Sequence, residues 1–244
     1  MIKQMIAVRR RPGLTHQECL DYVEHTHGTI ARGGPNGLLR YVQSHVFDSA
    51  FGAKADGGYQ QVFGRDFVTE LFFESPETMK ANAESEYVRT VVRPDERNFN
   101  DFANVILDLM TETELSVPQP GPAEIKVIHY LKKADGLSAE IFEQQWVAAH
   151  EAIMGELPTV AAALRRYVQA RPLRMGGQGP VHGNSVMANT YGGIASLWFE
   201  QEVDLKEFRA YEQALLRQTG PEGQPLIDSE RSFFLYTRER VIIG

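Results

Sequence analysis

The feature that most constrains this chain is that it is written twice. Ser116-Val117-Pro118-Gln119-Pro120-Gly121-Pro122-Ala123 has a proline at every second position for three steps. Proline fixes φ and removes a backbone donor, so this stretch reads as an extended linker. It lies near the middle of the 244 residues and invites a comparison of the two sides. Strand-like runs open both, at residues 2–10 and 125–133. Each leads into Gly-Leu-Thr/Ser, with Gly136 lying 123 positions after Gly13 and His150 the same distance after His27. Arg40-Tyr41-Val42-Gln43 returns letter for letter as Arg166-Tyr167-Val168-Gln169, 126 positions on. Leu71-Phe72-Phe73-Glu74 returns at the same offset as Leu197-Trp198-Phe199-Glu200. A colinear series of matches with one small insertion is a duplication. The units are residues 1–115 and 124–244, joined by the linker at 116–123.

Each half orders its elements as strand, helix, strand, strand, helix, strand. Thr15 and Ser138 are helix N-caps, and Thr15 with Glu18 makes a capping box. The first helix is expected over about residues 16–27 and its partner over about 139–150. Cys19, Val23 and His27 share one face of the first, as do Phe142, Trp146 and His150 of the second. Strand two is expected at about 38–47 and strand three at about 67–74, with Phe67, Thr69, Leu71 and Phe73 on one side. Glu70 then shares the other side with Val68 and Phe72. Ser75-Pro76 starts the second helix, whose stripe holds Met79, Ala83 and Tyr87; the second half offers Leu205, Phe208, Tyr211 and Leu215. Last strands are expected at about 103–110 and about 233–242.

This is an α+β pattern of two ferredoxin-like βαββαβ repeats. One such unit leaves a sheet face bare, and the strands here are apolar on both faces. Packing the two repeats sheet to sheet, as an intramolecular dimeric α/β barrel, covers those faces and encloses a cavity between them.

Composition excludes several classes. Hydrophobic residues make up 43% and charged residues 23%, enough apolar content to offset the ordering of a backbone, so the chain is not disordered. No apolar run approaches the ~20 residues of a membrane span, and the charged start has no signal-peptide core. A net charge of −7 argues against nucleic-acid binding. The single cysteine, Cys19, makes no intrachain disulfide and supplies no Cys-rich zinc site, so a reducing, cytoplasmic compartment is expected. His25 and His27 are two apart on a helix and point to different faces, so no metal is expected. Gly176-Gly177-Gln178-Gly179-Pro180 lacks the Gly-Lys-Ser/Thr ending of a phosphate loop.

The run Arg10-Arg11-Pro12-Gly13-Leu14-Thr15, the helix ending in His27, and Arg40-Tyr41-Val42-Gln43-Ser44-His45 resemble the EthD family. Asp66-Phe67-Val68-Thr69-Glu70-Leu71-Phe72-Phe73 does so too, with an Asp and a Glu four apart before an aromatic pair. The resemblance covers nearly all of the first half and most of the second. It implies the dimeric α/β-barrel superfamily, here as a tandem. Family members are associated with ethyl tert-butyl ether degradation, and fungal relatives resemble decarboxylases or dehydratases of aromatic polyketides. The wider superfamily includes cofactor-free monooxygenases, isomerases and haem-handling enzymes, so fold does not settle function.

The halves differ in polar residues. Gly192, Ser196 and Arg171 replace Asp66, Glu70 and His45, while both histidines are kept. That asymmetry predicts one working pocket in the first half, with His27, His45, Asp66 and Glu70 as its polar, catalytic members. His27 at a helix end suits a general acid or base, or else it caps the last carbonyls and packs. Glu70 either faces an apolar cavity, which would raise its pKa, or pairs with an arginine such as Arg40. His45 faces the same space or the surface. Tyr41 and Tyr167 read as core aromatics or as substrate contacts together with His150 and Arg171. Long glycine-rich connections at about 48–66 and about 172–191 read as flaps offering Tyr59, His182 or Asn184 to a ligand.

The expected activity is proton transfer without an organic cofactor, as decarboxylation, dehydration or isomerisation of a small apolar, aromatic or cyclic molecule. A cofactor-free monooxygenase is the nearest variant, and a non-catalytic ligand-binding or assembly protein is the alternative. The expected partner is a small-molecule substrate, with no nucleic acid and no membrane, and a homodimer of the tandem chain is left open.

Overall fold

The computed structural model describes residues 1–34, 37–50, 64–173 and 191–244; Tyr59, His182 and Asn184 lie outside the described residues. The first half supplies β1 (Ile2–Val8), then a helix in three parts. These are α1 (His16–Asp21), a π-helical segment (Tyr22–His27) and α2 (Gly28–Arg32). Then come β2 (Leu38–Ala50), β3 (Phe67–Phe73), α3 (Pro76–Glu84), a second π segment (Val88–Val92), α4 (Arg93–Asp95) and β4 (Ile106–Leu115). The second half supplies β5 (Ile125–Leu131), α5 (Ala139–Glu156), α6 (Pro158–Ala163), β6 (Leu164–Pro172), β7 (Gly193–Phe199), α7 (Leu205–Leu216) and β8 (Phe233–Ile243). The helix starts obey the local chemistry. Thr15 accepts from the Glu18 amide while Glu18 returns to the Thr15 amide, and Ser75 accepts from the Thr78 amide ahead of Pro76.

All eight strands close into one antiparallel barrel, ordered β1-β3-β2-β8-β5-β7-β6-β4. The halves therefore do more than face each other. β2 pairs with β8 and β4 with β6, so the edges that each four-stranded set would expose are hydrogen-bonded to the other. An eight-stranded barrel is just wide enough for side chains to fill it. Met5, Val68, Met110, Ile128, Tyr130 and Leu235 do so here, all fully buried. Among the described residues, the space between the sheets holds this packing and a charge network.

That network sits where the halves meet. Lys3 and Lys126 occupy equivalent positions on β1 and β5, facing Met110 and Thr237; two residues on lie Glu112 and Glu239. Lys3 pairs with Glu112 at 2.7 Å and Lys126 with Glu239 at 3.0 Å. Glu70 has no acidic counterpart, only Ser196, and bridges both lysines, at 3.1 Å from Lys3 and in a shorter contact with Lys126. Ser44 also donates to it. Burial alone would raise the Glu70 pKa; the two lysine charges outweigh it and hold it down at about 2. The expected rise toward neutrality is therefore reversed, and the arginine partner is replaced as well. Arg40 lies over the Phe72 ring, as Arg166 lies over Trp198. Glu70 shares its side of β3 with Val68, as the alternation of the strand requires. What lies across the barrel is tertiary, and a strand pattern carries no trace of it.

The helices cover the outside. Val8, Cys19, Leu20, Val23, Phe67 and Phe99 form the layer between the first helix and its sheet. Phe67 and Glu70 are an odd number of residues apart, so they face opposite sides of β3.

Candidate active site in the first half

The helix-side face of the first sheet carries a chain of polar side chains on β2. The buried Gln43 amide donates to the Tyr41 hydroxyl and to the Val23 carbonyl, both at 2.8 Å. His45 lies 3.0 Å from the Gln43 amide oxygen through Nε2. Thr69 lies across from Gln43 on β3. Tyr41 thus accepts from Gln43, which leaves its own hydroxyl proton to give. Burial dominates its acidity and pushes the pKa up to about 12. His45 is pushed down to about 4, first by burial and then by the Arg240 charge, so it is neutral near pH 7.

Above this face runs the π-helical segment, a form frequent at functional sites. His27 closes it. Its Nδ1 lies 2.8 Å from Asp95 Oδ2, and its ring meets the edge of Phe99 at 4.7 Å. Burial lowers the His27 pKa, partly offset by Asp95. The Tyr22 hydroxyl at 2.5 Å and the Asn98 amide at 2.9 Å donate to the other oxygen of Asp95. Burial works to raise the Asp95 pKa, but those hydrogen bonds and the one from His27 bring it below its ordinary value. Glu96 follows directly. Burial lifts its carboxyl from 4.5 to about 7, against the pull of Arg93 and with a push from Asp95. Its charge in turn acts on Tyr41. A carboxyl that is half protonated near neutral pH can both give and take a proton.

The second half places equivalent residues in another arrangement. α5 is one continuous α-helix, and His150 stacks flat on Tyr167, with centroids 3.8 Å apart and planes 4° from parallel. Its Nδ1 meets the Tyr211 hydroxyl at 3.2 Å, and Tyr211 donates to Tyr167 at 3.0 Å. Gln169 donates to the same hydroxyl at 3.3 Å. Burial drives the His150 pKa down to about 4. The histidine ring occupies the space above the tyrosine and closes it.

The four polar residues expected to share one pocket do not. Glu70 points into the barrel, whereas His27, His45 and Tyr41 lie on the helix side of the sheet. Asp66 ends the sheet in a separate knot, accepting from the Arg10 amide at 2.7 Å and its guanidinium at 2.5 Å, with His16 Nδ1 at 2.7 Å. Arg171 ends β6 half-buried. Asp95, Glu96, Tyr22 and Gln43 were not singled out from the sequence. Arg93-Pro94-Asp95-Glu96 held the signal: two acids at the C-terminal end of a helix oppose its dipole and call for a reason. Among the described residues no three His, Cys, Asp or Glu side chains gather as a metal site.

Structural comparison places the chain among dimeric α/β-barrel proteins. An anthrone oxidase-like protein superposes with a TM-score of 0.55 at 11% identity, covering 99% of this chain and 92% of that one. A candidate monooxygenase from Fusobacterium nucleatum gives 0.54 at 6% identity, and a mutant chlorite dismutase from Candidatus Nitrospira defluvii gives 0.53 at 10%; each pairing covers 99% of this chain and 92% of the other. These likenesses speak to fold. No curated protein matches the chain. The EthD domain model matches twice, at residues 11–103 and 134–229, spanning most of both halves. The chain belongs to the EthD family, as a tandem of two EthD domains.

Proposed function

We propose that the first EthD repeat is an acid–base active site that moves a proton on a small, largely apolar, aromatic or cyclic substrate bound between its helices and its sheet. The observation that supports this most is the Glu96 carboxyl, lifted by burial to about 7, with its charge acting on the buried Tyr41 hydroxyl. Glu96 takes or returns the proton at carbon. Tyr41, held by the Gln43 amide, donates to the oxygen on which charge develops, the role of an oxyanion-hole donor. His27 is the second acid–base group. Such a set serves decarboxylation, dehydration or isomerisation and calls on no organic cofactor. On this reading each half is a ferredoxin-like unit, with domain bounds at 1–115 and 124–244, and the enzyme works in the cytoplasm on a diffusible substrate.

A cofactor-free oxygenase is the second reading, favoured by the structural likeness to an anthrone oxidase-like protein and to candidate monooxygenases. The same proton abstraction would begin it. Anthrone is a suitable probe because its ring methylene loses a proton to give a delocalised anion. Anaerobic exchange of that methylene with deuterium oxide should run faster with the protein than in buffer. Glu96→Gln should slow it by ~10²–10⁴-fold, the usual worth of a general acid or base. Exchange no faster than buffer, or unaffected by Glu96→Gln, contradicts the assignment. Oxygen uptake in air separates the oxygenase from the lyase or isomerase.

A further inference from the structure

We infer that Asp95 is a positioning residue that fixes the proton of His27 on Nδ1 and leaves the lone pair of Nε2 free as the second base of the site. The inference rests on the reading of the first repeat as an acid–base site, but its first test does not. Asp95 Oδ2 lies 2.8 Å from Nδ1, and an ionised carboxylate can only accept. The other carboxylate oxygen already accepts from Tyr22 and Asn98, so the group is held in one orientation by three donors. Neutral imidazole has a single N–H, and this geometry assigns it to Nδ1.

The remaining nitrogen separates His27 from His16 and His150. His16 uses both nitrogens, Nδ1 toward Asp66 at 2.7 Å and Nε2 toward the Val46 carbonyl at 2.8 Å, and so acts as a clamp between elements. His150 has Nδ1 on Tyr211, with Nε2 sealed in the interior. Only His27 among these three combines a carboxylate on Nδ1 with an Nε2 that has no partner among the described residues and is not among the sealed, unpaired atoms. A histidine that merely packed a helix end would need no carboxylate braced by a tyrosine and an asparagine. It would be disfavoured by the burial of that second charge.

The test is nitrogen-15 NMR of the histidine side chains of the full chain near pH 7.5. His27 should show the Nδ1–H tautomer. In Asp95→Asn the amide can turn its NH₂ toward Nδ1, so the signature should move to Nε2–H or to a mixture. Asp95→Glu should restore the original tautomer. Tyr22→Phe should keep it, because one brace is lost but the acceptor stays. Anthrone exchange should fall by ~10²–10⁴-fold in Asp95→Asn, the scale on which a wrongly set tautomer acts. An Nε2–H tautomer in the unmodified protein overturns the inference, as does an unchanged signature in Asp95→Asn. If Asp95→Asn fails to fold, the tautomer of the unmodified protein decides alone. The expected tautomer in a protein that does not speed anthrone exchange would uphold this positioning and count against the proposed function.

Discussion

His27 and His150 occupy equivalent places in the two repeats, each on a helix over a Tyr-x-Gln pair, and they have different fates. In the second repeat a regular α-helix lays the imidazole flat on Tyr167, and the cluster closes. In the first, a π-helical segment carries the imidazole to Asp95 and Phe99. Tyr41 keeps the Gln43 amide as its donor, without a ring stacked on it among the described residues. The charge of Glu96 acts on it. The duplication supplied the same residues twice, and a local change of helix geometry decided which set packs and which set can react.

The comparison breaks most completely if the repeats are separable. Each half would expose two barrel edges and an apolar inner face that only the other half covers. Residues 1–117 and 123–244, expressed apart, should fail to give folded monomers by circular dichroism and proton NMR. Two stable, soluble monomers would undo the single-barrel account.

The next effect sharpens the contrast between the histidines. His27→Gln should lower turnover by ~10²–10⁴-fold while the fold survives. His150→Gln should do the reverse. Turnover per folded molecule should hold, while stability drops by ~1–3 kcal/mol because a buried hydrogen-bonded cluster loses a member. Equal losses of turnover in both variants would mean that the second pocket works too.

Glu70 gives a smaller, purely structural effect. Its depressed pKa means that the folded state favours the ionised form. The stability it contributes is present above its unfolded value of 4.5 and is lost as pH falls toward about 2. Glu70→Gln should therefore destabilise the protein at pH 7 and flatten the acid limb of its stability curve. Removing one partner of a buried ion pair costs ~3–5 kcal/mol. The loss here should fall at the low end, because Lys3 and Lys126 keep Glu112 and Glu239. Turnover of the folded fraction should be unchanged, as Glu70 lies across the sheet from Tyr41.

Much of this architecture was legible in the letters. The repeat offsets, the caps at Thr15 and Ser75, and the alternation along β3 located the elements, because each depends on neighbours in sequence. The site was legible only in part. His27 and Tyr41 stood out by repetition and Glu70 by its face, yet the Lys126 that captures Glu70 arrives from across the barrel. The stripe Met79, Ala83, Tyr87 assumed one helix of ordinary pitch. The structure ends that helix at Glu84 and resumes in a π segment at Val88, and this interruption brings Asp95 and Glu96 to the site. A period of 3.6 residues cannot foresee a turn that does not keep it.

The central claim is that the first repeat holds a carboxyl poised for proton transfer, Glu96. Carbon-13 NMR titration of glutamate side-chain carboxyls in the full chain tests it without a substrate. The account predicts one glutamate with a midpoint near 7, raised by burial and assigned by its disappearance in Glu96→Gln. The absence of any resonance titrating near 7 that Glu96→Gln removes would contradict it.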